Sequence, residues 1–296
     1  MRLVARIYCW FLPVFCFSVP APKDRLPSMP YITGDTFRYY ADHVMDEITR
    51  SFQPEEVQYG ETIFLKTDLL GDFFSQIHPK ILHPYVLITH NSDYGAPDTF
   101  ASYLEDPKLL AWFAQNYDGF PSSKMHPIPI GLANYHWGHG NYHHIDEVQK
   151  EKNPKNRLAY LNIAVGTYPK ERQKVVSLLS RRNFCYSGQN KGHKEFLQDL
   201  ARSEFVISPR GNGLDTHRLW EALYVGSVPV VRTSSLDSLY EGLPVLIIPE
   251  WEDLTEDYLK EELRKMKEKG VSLEKLNIEY WVKKINSYKK TGQNAN

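Results

Sequence analysis

The residues best suited to bind a charged ligand lie between residues 210 and 221. Arg210 precedes Gly211 and Gly213, and Arg218 follows on the first turn of a predicted helix. Guanidinium groups donate paired hydrogen bonds to phosphate oxygens. A glycine-rich loop that leads into a helix also offers free backbone N–H groups and the positive end of the helix dipole. The segment therefore predicts a phosphate site.

Three further polar side chains belong to the same segment. Asp215 is placed to cap the helix, and His217 lies on its first turn. Glu221 follows Arg218 by three residues, on the same helical face, where a carboxylate can accept hydrogen bonds from a ribose diol or a base edge. The simpler alternative is an Arg218–Glu221 surface pair beside ordinary turn glycines. The density of charged groups around the loop favours the ligand.

A strand–loop–helix–strand unit positions these residues. Residues 205–207 form a short apolar run typical of a buried strand, and Pro209 ends it. The apolar positions 219–225 predict a helix that stops at Gly226, and residues 228–231 predict the next strand. Such a unit is the building block of a parallel sheet.

This segment resembles the donor-binding segment of exostosin-type glycosyltransferases. The similarity rests on a Pro-x-Gly, an Arg, a Glu-Ala-Leu, a Gly and a Pro-Val, here residues 209–211, Arg218, residues 221–223, Gly226 and residues 229–230. The resemblance implies an α/β protein with two Rossmann-like domains facing a cleft, the GT-B fold. It also implies a nucleotide-diphosphate sugar as co-substrate, and sugar transfer without a metal ion or other cofactor. The acceptor would be a glycan, a glycolipid or a protein.

The N-terminal half alternates strand and helix signals. The expected elements are strands at 62–66, 85–89 and 125–132 and helices at about 35–49, 70–77 and 109–116. His90 and Asp93 follow the second strand, at the end where open α/β sheets place their sites. We predict that Asp93, or His90 in its place, is the general base for an inverting transfer. Each could instead be a turn or satisfied polar residue.

The C-terminal half restarts the alternation at Arg157. The predicted domains are an acceptor domain at 23–145 and a nucleotide-sugar domain at 146–296, joined through a charged stretch at 146–157. Arg172, on a helix at 170–180, is a further phosphate candidate, although it could be a solvated charge. Residues 278–284 predict a C-terminal helix that packs back across the domains.

Residues 134–144 are rich in histidine and glycine. His136, His139, His143 and His144 invite a metal site, but the spacing lacks a His-Glu-x-x-His pattern. A loop lining the interdomain cleft fits better, and we predict no metal site.

Residues 1–22 predict a signal peptide or short anchor, because Arg2 and Arg6 precede an apolar run. The apolar run is shorter than the ~20 residues of a membrane span. The expected location is the lumen of the secretory pathway or its membrane, since a signal peptide in a bacterium would export the enzyme away from nucleotide sugars. Cleavage would leave Cys185 as the remaining cysteine, so no internal disulfide is expected.

Composition narrows the function classes. The chain has 296 residues, 42% hydrophobic and 24% charged, with a formal net charge of −1. That is an ordinary globular composition, and no overall field attracts nucleic acid. A Gly-x-Ser-x-Gly hydrolase motif is absent. Two alternatives stay open: a fucosyltransferase-like enzyme, and an inactive nucleotide- or sugar-binding protein of the same fold.

Overall fold

The computed structural model describes residues 25–289, so the predicted targeting segment at 1–22 lies outside the described residues. The strands are β1 His43–Met45, β2 Thr62–Lys66, β3 Tyr85–His90, β4 Leu109–Ala114, β5 Met125–Pro127, β6 Arg157–Leu161, β7 Cys185–Ser187, β8 Ser203–Ile207, β9 Val228–Arg232 and β10 Leu246–Ile248. The α-helices are α1 Gly34–Tyr40, α2 Leu70–Asp72, α3 His143–Lys150, α4 Pro169–Leu179, α5 His193–Ala201, α6 His217–Tyr224, α7 Asp237–Tyr240, α8 Glu256–Lys269 and α9 Ile278–Lys289. A π-helical turn, Phe73–Ile77, continues α2, and a 3₁₀ helix spans Asp98–Glu105.

Two separate parallel sheets organise the chain. The N-terminal sheet has the order β1-β2-β3-β4-β5, and the C-terminal sheet has the order β7-β6-β8-β9-β10. In the second sheet the winding direction reverses between β6 and β8, as in doubly wound α/β folds, whose ligands bind beside that reversal. The first sheet is wound in one direction and has no such reversal.

The two faces of the N-terminal sheet are covered by different parts of the chain. Leu87 of β3 packs with Phe73 of the π-helical turn that follows α2. Its neighbour Ile88 points to the opposite face, into the cluster that contains Phe37 of α1 and Ile285 of α9. The last helix thus closes the core of the first sheet, in keeping with the expectation for residues 278–284.

One hydrophobic cluster continues from this sheet into the C-terminal half, where it includes Trp220 of α6. Tyr224 of the same helix stands at the junction. Its hydroxyl accepts a hydrogen bond from the Ile32 N–H at 3.1 Å and donates to the Leu276 carbonyl at 2.7 Å. The two halves are therefore packed as neighbours through buried side chains.

Two predicted helices and part of a predicted linker are wrong. The helix expected at 35–49 ends at Tyr40, because residues 43–45 pair with β2 as an edge strand. The helix expected at 109–116 is also wrong, because residues 109–114 form the buried strand β4. Short apolar runs fit either structure, and pairing with β3 decides here. The charged stretch at 146–157 is helical up to Lys150, since Ile145 and Val148 are buried.

Candidate functional site

A cleft of about 610 Å³ lies where the C-terminal ends of β2 and β3 meet the start of α6. Its walls are the loop at 91–94, the histidine-rich loop at 134–139, and His217 from the C-terminal half. Tyr94 and Trp137 are 67% and 57% exposed on its rim. Flat aromatic faces beside polar groups are suited to stack against sugar rings.

Arg218 stands beside the reversal point of the C-terminal sheet. Its guanidinium carbon lies 5.8 Å from the centre of the Phe196 ring. The Nε atom is buried and makes no hydrogen bond within residues 25–289. Burial lowers the pKa of the guanidinium. A cation with a buried, unused donor is an incomplete site that an anion would complete.

Arg172 is used by the protein itself. Its Nε donates to the Arg210 carbonyl at 2.7 Å, Nη1 to the Ala164 carbonyl at 2.8 Å, and Nη2 to the Pro209 carbonyl at 3.3 Å. Burial lowers its pKa to about 10. These contacts fasten the loop after β6 to the loop after β8, so the geometry favours a bracing role over direct phosphate contact.

Arg210 does not line the large cleft. Its guanidinium stacks on the Tyr168 ring at 4.3 Å, and its Nη2 donates to the Asn212 carbonyl at 2.7 Å. It lines a smaller cavity of about 70 Å³ together with Arg232. Gly211 gives Arg172 room, because a Cβ there would lie 3.3 Å from Nη2 of that arginine.

Asp215 joins the two halves. Its Oδ2 accepts from the Ile130 N–H and from the Trp220 indole, both at 2.8 Å, and its Oδ1 accepts from the Thr216 N–H at 2.9 Å. Its own N–H donates to the Asn116 side chain at 2.9 Å. Burial raises the pKa of this carboxyl to about 6. With both oxygens occupied, Asp215 is placed to hold the interface and has little left to offer a donor.

Asn116, which was not predicted from the sequence, explains why residue 213 is a glycine. A Cβ at Gly213 would lie 2.5 Å from Asn116 Nδ2, so this glycine admits the neighbouring loop. Asn116 has a positive φ of 54°, a conformation in which asparagine is enriched among residues other than glycine. Asn116 lies just after the end of β4, where site residues of parallel sheets are expected. The wrong prediction of a helix at 109–116 hid this position.

His217 and Glu221 extend the site along α6. His217 Nδ1 donates to the Gly131 carbonyl at 2.8 Å, which leaves Nε2 as an acceptor, and burial lowers its pKa. Glu221 is buried, and its Oε1 accepts from His193 at 3.1 Å. The alternative Arg218–Glu221 surface pair is therefore not what the structure shows, since Glu221 is paired with His193.

The two base candidates have different surroundings. The Nε2 atom of His90 donates to the Pro129 carbonyl at 3.0 Å, and its Nδ1 accepts from the Asn91 N–H at 2.8 Å. Burial lowers its pKa to about 4, so the ring is neutral with both nitrogens occupied. Asp93 is exposed and lines the cleft, and its Oδ2 accepts from Asn212 of the opposite half at 3.1 Å. Of the two, Asp93 keeps an available carboxylate.

Within the described range, no three His, Cys, Asp or Glu side chains cluster in a way that could hold a metal ion. The same part of the chain holds no helix with the length and apolarity to cross a membrane.

A family match within the C-terminal half supports a glycosyltransferase. Residues 165–291 match the family model of the RXYLT1 C-terminal domain, a xylosyltransferase-like glycosyltransferase domain. No curated protein matches the chain. Among solved structures, the apo structure of OtsA is similar with a TM-score of 0.38 and 10% identity, covering 79% of this chain and 72% of that chain. The matched family segment contains Arg172, Arg218 and Glu221.

Proposed function

We propose that this protein is an exostosin-like glycosyltransferase of GT-B type that moves a sugar from a nucleotide-diphosphate donor to a hydroxyl acceptor. The reaction inverts the anomeric centre and uses no metal ion. Residues 23–145 hold the acceptor and residues 146–296 hold the donor. The observation that carries the proposal is the buried, unused Nε of Arg218, inside the segment that matches the glycosyltransferase family.

The donor lies beside the reversal between β6 and β8. Breaking the bond between the sugar and the diphosphate leaves negative charge on a phosphate oxygen. Arg218 is placed to donate to that oxygen, and the first turn of α6 adds the positive end of its dipole. Glu221 lies one turn further along and is placed to accept from the ribose or the base. Arg172 and Arg210 shape the loop that cradles the phosphates.

The acceptor enters the cleft of the N-terminal half. The exposed rings of Tyr94 and Trp137 favour a carbohydrate, whether free or attached to a lipid or protein. Residues 1–22 would direct the chain to the secretory lumen, where nucleotide sugars occur, or attach it to the membrane there.

Calorimetric titration with UDP, UDP-xylose, GDP-fucose and uridine tests the donor assignment. UDP-xylose comes first because of the xylosyltransferase-like family match, and GDP-fucose represents the fucosyltransferase-like alternative. A nucleoside diphosphate should bind much more tightly than uridine, because the phosphate contact supplies a charged hydrogen bond. Equal affinity for UDP and uridine would contradict the proposed phosphate site. Binding without any release of nucleotide from the sugar would indicate an inactive binding protein.

A further inference from the structure

Asp35, on the first turn of α1, is a buried carboxylate with one oxygen unused. Its Oδ1 accepts from Arg25 Nη1 at 3.1 Å and from Asn91 Nδ2 at 3.4 Å. Its Oδ2 is buried and makes no hydrogen bond to any residue from 25 to 289. Nδ1 of His136 lies 3.3 Å from Oδ2. Oδ2 and the imidazole of His136 therefore form a carboxylate–imidazole pair, while Oδ1 of the same carboxylate is paired with Arg25.

A network from three parts of the chain holds this carboxylate in place. The Asp35 N–H donates to Asn134 Oδ1 at 2.8 Å, and Asn134 Nδ2 donates to Asn91 Oδ1 at 3.0 Å. Asn91, directly after β3, has a positive φ of 60°. Groups held by several hydrogen bonds lose little freedom when they act.

His136 is open to the cleft. Its side chain is 30% exposed, whereas that of Asp35 is fully buried at 0%. With Nδ1 turned to Asp35, Nε2 lies on the far side of the ring, and His136 lines the same cleft as His217 and Asp93. A carboxylate behind an imidazole fixes the tautomer with a proton on Nδ1, and it stabilises the imidazolium that forms when Nε2 takes a proton.

We infer that His136 is the general base of the transfer and that Asp35 is its positioning residue. This rests on the proposed function. Nε2 of His136 removes the proton of the acceptor hydroxyl as that oxygen bonds to the anomeric carbon. The bond from this carbon to the diphosphate oxygen breaks, and its electron pair leaves with the nucleotide diphosphate, beside Arg218. The imidazolium then returns its proton to solvent.

The other candidate bases in the cleft lack a carboxylate behind an imidazole with a free nitrogen. His90 has both ring nitrogens occupied. His217 has an oriented ring, but a neutral carbonyl lies behind it, which stabilises an imidazolium less than a carboxylate does. Asp93 binds Asn212 across the cleft mouth, which suits a bridge between the halves.

The test uses full-length protein and the nucleotide sugar from the above panel that it hydrolyses or transfers fastest. His136→Ala should lower kcat by about 10²–10⁴-fold, the usual weight of general base catalysis, with nearly unchanged donor affinity. Added imidazole should restore part of the lost rate, because the site is open to solvent. Asp35→Asn should lower kcat by at least ~10-fold while the donor Kd stays within about twofold, since it leaves the tautomer unfixed.

Matched controls separate this role from folding. Asp46→Asn removes another buried carboxylate, one that pairs with Arg38 at 2.6 Å outside the cleft, and should leave kcat unchanged. His143→Ala removes an exposed histidine of α3 and should do the same.

The outcomes decide between the assignments. Wild-type turnover that survives in His136→Ala, or a loss that imidazole does not restore, overturns the inference alone. A loss of about 10²-fold or more in Asp93→Asn or His217→Gln, with His136→Ala active, moves the base to that residue. A wild-type chain that binds or turns over no nucleotide sugar overturns the proposed function, and the inference falls with it.

Discussion

Replacing Arg218 with methionine should stabilise the ligand-free protein while it weakens nucleotide diphosphate binding. The side chain is half-buried, burial lowers the pKa of its guanidinium, and its buried Nε has no acceptor within the described chain. Methionine keeps an unbranched, flexible stem of similar length and has no buried donor to satisfy. The side chain that completes the donor site therefore destabilises the protein when no ligand is bound.

The size of the effect follows from three contributions. Leaving a buried donor unsatisfied costs about 1–3 kcal/mol. The substitution also removes a cation–π contact to Phe196, worth about 0.5–1 kcal/mol at its 5.8 Å separation. A weak attraction to Glu221 is lost as well. The net gain is about 1 kcal/mol, which corresponds to a rise in Tm of roughly 2–4 °C for a chain of this size.

The same change should weaken UDP binding. A hydrogen bond to a charged group contributes about 1.5–3 kcal/mol, so the Kd should rise by roughly 10–150-fold. Thermal unfolding with and without UDP measures both effects in one experiment, and calorimetry gives the Kd. Arg181→Met, on an exposed arginine, is the matched control and should change neither quantity.

Two results would refute the reasoning. A lower Tm in Arg218→Met without ligand would mean that the guanidinium has a stabilising partner in solution. An unchanged Kd for UDP would mean that Arg218 does not contact the phosphates, whatever its effect on the fold.

Three other changes test the fold. Gly131→Ala should destabilise the protein by more than ~2 kcal/mol, since φ is +67° and the new Cβ would meet the Ile32 carbonyl, whereas Gly166→Ala, with open space around it, should not; chemical denaturation compares them. His126→Phe should make the free energy of unfolding less sensitive to acid. Burial lowers the pKa of His126 to about 4, below the ordinary ~6.5. The unfolded chain therefore takes up the proton first, and the wild type loses stability as pH falls from ~6.5 to 4. The difference in unfolding free energy between the two proteins should therefore change across that range, and a constant difference would mean that another group is responsible. Tyr224→Phe should lose about 1–3 kcal/mol with its two buried hydrogen bonds, and an equal loss in the exposed Tyr135→Phe would remove that explanation.

The C-terminal half was the more predictable from sequence. Its strand–loop–helix–strand unit appears as β8, α6 and β9, because turn residues and apolar periodicity there agree with the final pairing. In the N-terminal half, residues 43–45 and 109–114 have periodicities that suit a helix, and their identity as strands comes from partners distant in sequence. Local patterns carry no information about such pairing.

The candidate site divides in the same way. The sequence indicates that Arg218 lies at a helix start, which is a local property. It does not indicate that Arg172 donates to three backbone carbonyls, or that Asp215 accepts a hydrogen bond from Ile130 of the other half, because tertiary packing creates those contacts. Asp35 and His136 belong to no shared motif, and the fold alone brings them to 3.3 Å.

The position of α9 has a consequence for how the protein is made. One face of the N-terminal sheet is covered only in part, by α1, until this helix arrives. Tyr288 then packs against Phe113, and Lys289 bonds Asp42 at 2.7 Å. About 150 residues separate β5 from α9, which takes a ribosome roughly 8–30 s to translate. Throughout that interval the newborn first half exposes part of an apolar sheet face, which is a surface that chaperones bind and that drives aggregation. Synthesis from N-terminus to C-terminus therefore cannot finish this protein one half at a time, and the first half to leave the ribosome is the last to be completed.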